Sequence, residues 1–141
     1  MDDIAKDYDT WNKQKKNLDN RLLPADFFFL EGEIWWAAIG VNIGHEIDGK
    51  NELHDRPVLI LKDINQNLLW VLPISSKMKT GEQYYEIEYR NRKHCILLEQ
   101  IRVISPKRLL HFELRLRNKD FKQIQDRLHK MLYSIATIPS F

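Results

Sequence analysis

The 141-residue sequence contains one cysteine, Cys95, which excludes an intramolecular disulfide and a cysteine-built zinc site and makes the reducing cytoplasm the expected compartment. Long apolar runs are also missing. The longest, Ile34 to Ile39, has six residues, against the roughly 18 a membrane helix needs, so no membrane segment is expected. The acidic start Met1-Asp2-Asp3 does not read as a secretory leader. With five glycines in all, there is no glycine-rich phosphate loop and no nucleophile elbow. His45-Glu46 opens like the zinc-protease motif, but Gly49 stands where its second histidine is required. Neither sign of charge dominates overall, with 22 basic side chains against 20 acidic. A hydrophobic content of 43% with 11% aromatics excludes a disordered chain. A chain of this length folds as one domain that buries roughly 70% of its unfolded surface.

What is present is unevenly distributed. Residues 1–30 carry five basic and six acidic groups, residues 31–89 carry five and ten, and residues 90–130 carry twelve and four. That swing favours a polyanionic partner, although a solvated basic helix face would produce the same pattern. Ile4, Tyr8, Trp11 and Leu18 recur at helical spacing, which predicts a helix over 4–20 closed by Leu23-Pro24. From Phe27 the period shortens. Phe27–Leu30 and Glu33–Ile39 read as strands, and Gly44–Asp55 reads as a polar loop. Pro57–Leu61 and Leu68–Ile74 form a hairpin of central strands covered on both faces. Tyr85, Ile87 and Tyr89 alternate with polar neighbours on a half-exposed strand. His94–Leu98 and Gln100–Ile104 form a strand pair or one bent strand, broken at Ser105-Pro106. Leu109–Leu116 follows, and then a helix capped by Asn118 with Phe121, Ile124, Leu128, Met131, Leu132 and Ile135 on one face. The fold class expected is mainly β with flanking helices, a small barrel or strongly bent antiparallel sheet.

Isolated fragments say little about chemistry. His45, His54, Glu46, Asp48, Glu52 and Asp55 crowd one loop, readable as a divalent-metal site or as a mobile polar segment. Cys95 reads as a small buried hydrophobe. Trp35 and Trp36 read as one core and one surface aromatic, or as a base-stacking platform. The order of segments is more informative. Gly32-Glu33-Ile34-Trp35-Trp36, Gly44-His45-Glu46, Arg56-Pro57 before Val58–Leu61, Pro73-Ile74-Ser75-Ser76-Lys77, and Ile96–Ile104 follow one another. In this order the sequence resembles the PemK/MazF family of toxin endoribonucleases of bacterial toxin–antitoxin pairs, over roughly Gly32 to Leu132.

The resemblance implies an SH3-like barrel (26–141), on which the N-terminal helical extension (1–25) is expected to pack. It implies a homodimer that cuts single-stranded RNA with sequence selectivity and with no metal or cofactor. Arg56 and Ser75 map onto the family's catalytic pair, with Ser76 as the substitute alcohol. RNA contacts are expected from Glu46, Ser76, Lys77, Lys79, Gln100 and Arg102, with Trp36 and Tyr84 as stacking candidates. A cognate antitoxin is the implied protein partner, and it would supply most of the contact with operator DNA. Transesterification by a ribose 2′-hydroxyl needs charge stabilisation on the phosphorane, which a guanidinium supplies as a fixed fork of donors. Two departures stand out: nine residues separate Glu46 from Arg56, more than in the family's short connection, and the first helix has no counterpart in compact members. Two other readings of the same barrel are a gyrase-inhibitor-like toxin that binds protein and a non-catalytic nucleic-acid-binding module.

Overall fold

The computed structural model describes residues 5–133. Helix α1 spans Tyr8–Asp19, and its N-cap Asp7 accepts the Thr10 amide at 3.0 Å, which satisfies one of the donors a helix start leaves open. The helix ends short of Pro24. Arg21, just beyond it, donates to the carbonyls of Lys107 and Leu109 at 2.9 and 2.6 Å, which draws the chain onto the sheet. Ile4, at the expected helix start, lies outside the described residues.

Seven strands follow: β1 (Glu33–Ala38), β2 (Asp55–Asp63), β3 (Leu69–Ser75), β4 (Tyr84–Tyr89), β5 (Arg92–Leu97), β6 (Arg102–Ile104) and β7 (Leu109–Arg115). Helix α2, Asn118–Tyr133, closes the described chain. All strand pairings are antiparallel, in the order β4-β5-β3-β2-β1-β7, with β6 also paired to β3. The chain from β5 to β6 is one bent strand. Its first half pairs Ile74 and Ser75, a 3₁₀ turn at Leu98–Gln100 bends it, and its second half pairs Leu69–Val71. The result is the mainly-β, curled half-barrel with flanking helices that the periodicities predict.

Period-two alternation sorts the central strands onto two cores. Leu59, Leu61, Leu72 and Ile74 face one core, capped by Ile124 of α2 with Phe121 and Leu128. Val58, Ile60, Leu69 and Val71 face the other, closed by Phe29 with Phe27 and Ile47. The α2 stripe packs on the core only as far as Leu128, since Met131 and Leu132 are exposed, and Ile135 lies outside the described residues.

One predicted strand is absent. Phe27–Leu30 is irregular chain, because Phe27 and Phe29 plug the second core instead of pairing, while Phe28 is exposed: Phe27 packs edge-on to Trp35 at 5.6 Å. The carboxylate of Glu33 then ties the following turn, accepting from the Leu30 amide and from Trp35 Nε1 at 2.8 and 3.1 Å. Aromatic content signalled burial here, and it was not evidence of a ladder.

Helix α1 docks across the loop between β1 and β2. Trp11 is buried against Gly40 and His54. Gly40 has φ +86°, and any Cβ there would collide with the Trp11 ring, so glycine is required by both conformation and space. Lys6 donates to the carbonyls of Asn42 and Gly44 at 2.6 and 3.0 Å and pairs with Asp48 at 3.1 Å. Tyr8 donates to Asn42 O at 3.0 Å. At the other end of the loop, Gln14 binds the Leu53 carbonyl and His54 Nδ1.

Trp11→Ala should therefore cost about 3–5 kcal/mol, as large-to-small core changes do. Gly40→Ala should also destabilise, by displacing the same ring. Urea denaturation checks both, and an unchanged midpoint for either variant would contradict the docked position of α1.

Candidate active site and nucleic-acid groove

Arg56 lies near the start of β2, opposite Ala37 of β1. On the other side, Val58 pairs with Pro73, and the same register carried two residues further sets Arg56 across from Ser75. Facing residues of an antiparallel pair share a side of the sheet, so both lie on the face that carries Val58 and Val71. The predicted pair is thus brought to one end of two adjacent strands.

The guanidinium is fixed there by backbone. Its Nε donates to Asp48 O in the loop at 2.8 Å, and Nη1 donates to Ile74 O in β3 at 3.2 Å. Arg56 is 7% exposed, and burial pulls its pKa below the ordinary arginine value while the charge of Asp48 opposes that shift. Arginine remains a cation throughout the neutral range. Nη2 has no hydrogen-bond partner among the described residues, where no fully buried side-chain nitrogen or oxygen goes unpartnered. Arg56 borders a cleft of about 290 Å³, while by strand alternation the Pro57 and Ile74 side chains of that cleft lie on the opposite face of the sheet from its guanidinium.

That cleft lies between the second half of β1, the start of β2, the β4–β5 turn and β7. Ser76 lines it together with Trp36, Asn51, Arg90, Arg92 and His94. Ser75 does not. It is 5% exposed, and its Oγ accepts the Lys77 amide at 3.1 Å, so this alcohol is held at the strand end beneath the surface. Trp36 donates from Nε1 to Glu113 at 2.9 Å, and the other oxygen of that carboxylate pairs with Arg90 at 2.8 Å. Trp35, in contrast, belongs to the core, so the two tryptophans divide between interior and cleft.

The other predicted RNA contacts fall elsewhere. Glu46, Gln100 and Arg102 line a second cleft of about 330 Å³ with Asn42 and Ile47. Gln100 pins the loop over it, accepting the Ile47 amide and donating to His45 O, both at 3.0 Å. Arg102 donates to Ile39 O at 3.2 Å, and burial lowers its pKa while Glu46 opposes the shift. The polar loop therefore separates the two clefts. Lys77 is exposed on the segment between β3 and β4, and Lys79 sits 5.5 Å above the Tyr84 ring. Tyr84 itself donates to Glu99 at 2.7 Å, so its hydroxyl is occupied.

Among the described residues, no three histidine, cysteine or acidic side chains gather into a metal-ligand set. Two of the loop's acidic groups are committed to it or to α1's leading residues. Asp48 serves the Asn42 amide and Lys6, and Glu46 accepts the Ile43 amide. Cys95 is fully buried, as expected of a small hydrophobe, and burial raises its thiol pKa.

Arg90, Arg92 and His94 are cleft residues that sequence reasoning passed over. They surround a two-residue hairpin turn in which Arg90 and Asn91 both have positive φ, +53° and +59°, the geometry of a type I′ turn. The available signal was the Tyr89-Arg90-Asn91-Arg92 join between two alternating runs, although it lacks the glycine that usually marks such turns.

Residues 30–132 match the profile of the PemK-like, MazF-like toxin of type II toxin–antitoxin systems. Among solved structures, a MazF from Deinococcus radiodurans superposes with a TM-score of 0.63 at 17% identity, covering 76% of this chain and 98% of that one. A MazE–MazF complex from the same organism gives 0.60 at 14% identity over 77% and 98%. An endoribonuclease in complex with its cognate antitoxin, from a mycobacterial species, gives 0.59 at 11% over 74% and 95%. Among curated proteins, none matches the chain. Helix α1 lies outside the matched residues. With the profile spanning the whole sheet and nearly all of α2, the chain belongs to the PemK-like, MazF-like toxins of type II toxin–antitoxin systems.

Proposed function

We propose that this chain is the endoribonuclease toxin of its pair, cutting single-stranded RNA at selected sequences without a bound metal ion. The observation that carries the reading is Arg56. Two backbone carbonyls hold its guanidinium in place, on the face of the sheet that the β2–β3 register gives to Ser75. Attack of a ribose 2′-hydroxyl on the adjacent phosphate builds negative charge on the non-bridging oxygens. A preorganised cation in a partly dry site stabilises that charge with no reorganisation at the moment of reaction. Arg56 is the clamp, and Ser75 or Ser76 offers one further donor to the phosphorane.

Unpaired bases have stacking partners in Trp36, which lies parallel to His111 at 5.9 Å, and in Tyr84. Lys77 and Lys79 hold flanking phosphates, and Glu46, Gln100 and Arg102 line the extension of the groove beyond the loop. A partly disordered antitoxin segment laid across this basic surface restrains the activity and brings most of the operator-DNA contact, and the toxin works as a cytoplasmic homodimer. Within the chain, residues 1–25 form a helical extension of the 26–141 barrel. No helix among the described residues is long and apolar enough to cross a membrane.

In excess EDTA, the purified protein should cut a mixed-sequence single-stranded RNA at a few discrete positions. Arg56→Ala should lower kcat/KM roughly 100- to 1000-fold, the usual loss for one oxyanion-type donor. Of Ser75→Ala and Ser76→Ala, the larger loss identifies the working alcohol, and full activity in both would remove the serine pair from the reading. Gyrase inhibition with intact RNA would favour the protein-binding alternative, and RNA retention without cleavage the non-catalytic one.

Binding should depend on salt. Lys77→Ala and Lys79→Ala should each weaken RNA affinity across sequences and reduce the slope of log K against log salt by about 0.7, the value for one single-strand phosphate. An unchanged slope in both variants would place the phosphates elsewhere.

A further inference from the structure

Three separate parts of the chain meet at Asp48. Its Oδ1 accepts the Asn42 amide at 2.6 Å, its Oδ2 pairs with Lys6 at 3.1 Å, and its backbone oxygen accepts Nε of Arg56 at 2.8 Å. We propose that Lys6 and Asp48 are positioning residues of the site: the Lys6 ammonium fixes the Asp48 side chain, and the Asp48 carbonyl in turn aims the Arg56 guanidinium. This rests on the RNA-cleaving reading above and adds to it the part of the chain that orients the clamp.

A guanidinium is a rigid planar fork. Held through one nitrogen it can pivot, and held through two its plane is set. Nη1 donates to Ile74 O of β3 at 3.2 Å, a position the β2–β3 register settles. Nε donates instead to a loop carbonyl, whose direction depends on how the turn around Asp48 is tied down. Beyond Asp48 the backbone is closely packed. Lys50 bridges to Asp55, and a Cβ on Gly49 would collide with the His54 carbonyl.

Lys6 ties the turn from the other side. Its Nζ donates to Asn42 O at 2.6 Å and to Gly44 O at 3.0 Å besides pairing with Asp48, so each ammonium proton has an acceptor. Asn42 closes the same turn from within, its side-chain amide donating to Ile39 O and Ile47 O at 3.2 and 2.8 Å. Lys6 lies just ahead of α1, which Trp11 and Gln14 dock at the far end of the loop. The ammonium is therefore delivered by an anchored element. That element lies outside the matched residues 30–132.

The Asp48 carboxylate also supports the charge it helps to place, since burial lowers the Arg56 pKa and the Asp48 charge opposes that shift. Its pairing with Lys6 does little for the fold. The two side chains are 28% and 31% exposed, and ion pairs this open to solvent add little to stability. A loss of rate can thus be told apart from a loss of folding.

The test is cleavage of a short single-stranded RNA in excess EDTA by Lys6→Ala, Lys6→Arg, Asp48→Asn, Arg56→Ala and the Lys6→Ala/Arg56→Ala double variant, with urea midpoints and affinity for the 2′-deoxy analogue measured alongside. Lys6→Ala should lower kcat about 10-fold or more, as a misplaced catalytic group does, with a smaller change in analogue affinity and a midpoint close to wild type. Lys6→Arg, which keeps the charge and the reach, should recover most of the rate. Asp48→Asn keeps the carbonyl and loses the ion pair, so it should fall in the same direction as Lys6→Ala. In the Arg56→Ala background Lys6→Ala should change nothing further, because the tie acts through that guanidinium. Wild-type kcat in both Lys6→Ala and Asp48→Asn would overturn the inference while leaving the RNA-cleaving reading intact. So would an equal loss from Lys6→Ala in the Arg56→Ala background, or a loss of rate that follows a lowered midpoint, since each marks a general effect on the fold. A wild-type protein that leaves RNA intact would overturn the reading as well.

Discussion

The site depends on two hydrogen bonds from one buried guanidinium. Arg56 donates to Asp48 O and to Ile74 O, and those carbonyls belong to different parts of the chain. Ile74 O is placed by the β2–β3 register, and Asp48 O by the loop that crosses the strand ends. A guanidinium carried into a partly dry site loses hydration, and each backbone acceptor offsets part of that cost. The side chain is left immobile, charged and with donors to spare. A slip of one residue between β2 and β3 would turn Arg56 to the other face and separate it from Ser75. The apolar alternation of those two strands, which fixes the register by burying Leu59 and Leu72 on one side and Val58 and Val71 on the other, is thus a condition for the site.

The loop that supplies Asp48 O is gripped by α1, which lies beyond the matched residues. Lys6 and Tyr8 hold its Asn42–Gly44 end, Gln14 and Trp11 hold its Leu53–His54 end, and Gln100 pins its middle from the barrel. This loop contributes Lys50 and Asn51 to one cleft and Glu46 and Ile47 to the other. Nine residues separate Glu46 from Arg56, and the N-terminal segment gives that stretch partners at Asp48, Leu53 and His54. The strand framework, in contrast, superposes on structures at 11–17% identity, as expected when a curled sheet depends on which positions are apolar more than on which apolar residue fills them.

Much of the fold was legible in the sequence because its signals were periodic. The alternation of Tyr85 and Ile87 against Glu86 and Glu88, the continuous apolar runs of β2 and β3, and the break at Ser105-Pro106 each reported a local constraint that the tertiary structure kept. Phe27–Leu30 misled because aromatic, β-favouring residues also suit a plug, and only the Glu33 side chain, binding Leu30 N, decides between the two. Arg56 and Ser75 were legible through segment order alone, since a lone Arg-Pro or Ser-Ser has many uses. The split of Glu46, Gln100 and Arg102 into a separate cleft was not legible. It depends on where a non-periodic loop lies. Arg90, Arg92 and His94 escaped for a related reason: they registered as part of a basic stretch, and nothing in their spacing shows that a tight turn brings them to one cleft.

The central claim is that a fixed guanidinium lets a ribose hydroxyl break its own phosphodiester. The most direct measurement is mass spectrometry of the fragment ends produced from single-stranded RNA in excess EDTA. Upstream fragments ending in a 2′,3′-cyclic phosphate, or in the 3′-phosphate from its opening, with 5′-hydroxyls on the downstream pieces, are the predicted result. Fragments bearing 5′-phosphates and free 3′-hydroxyls would contradict the account, because water rather than the ribose would then have attacked.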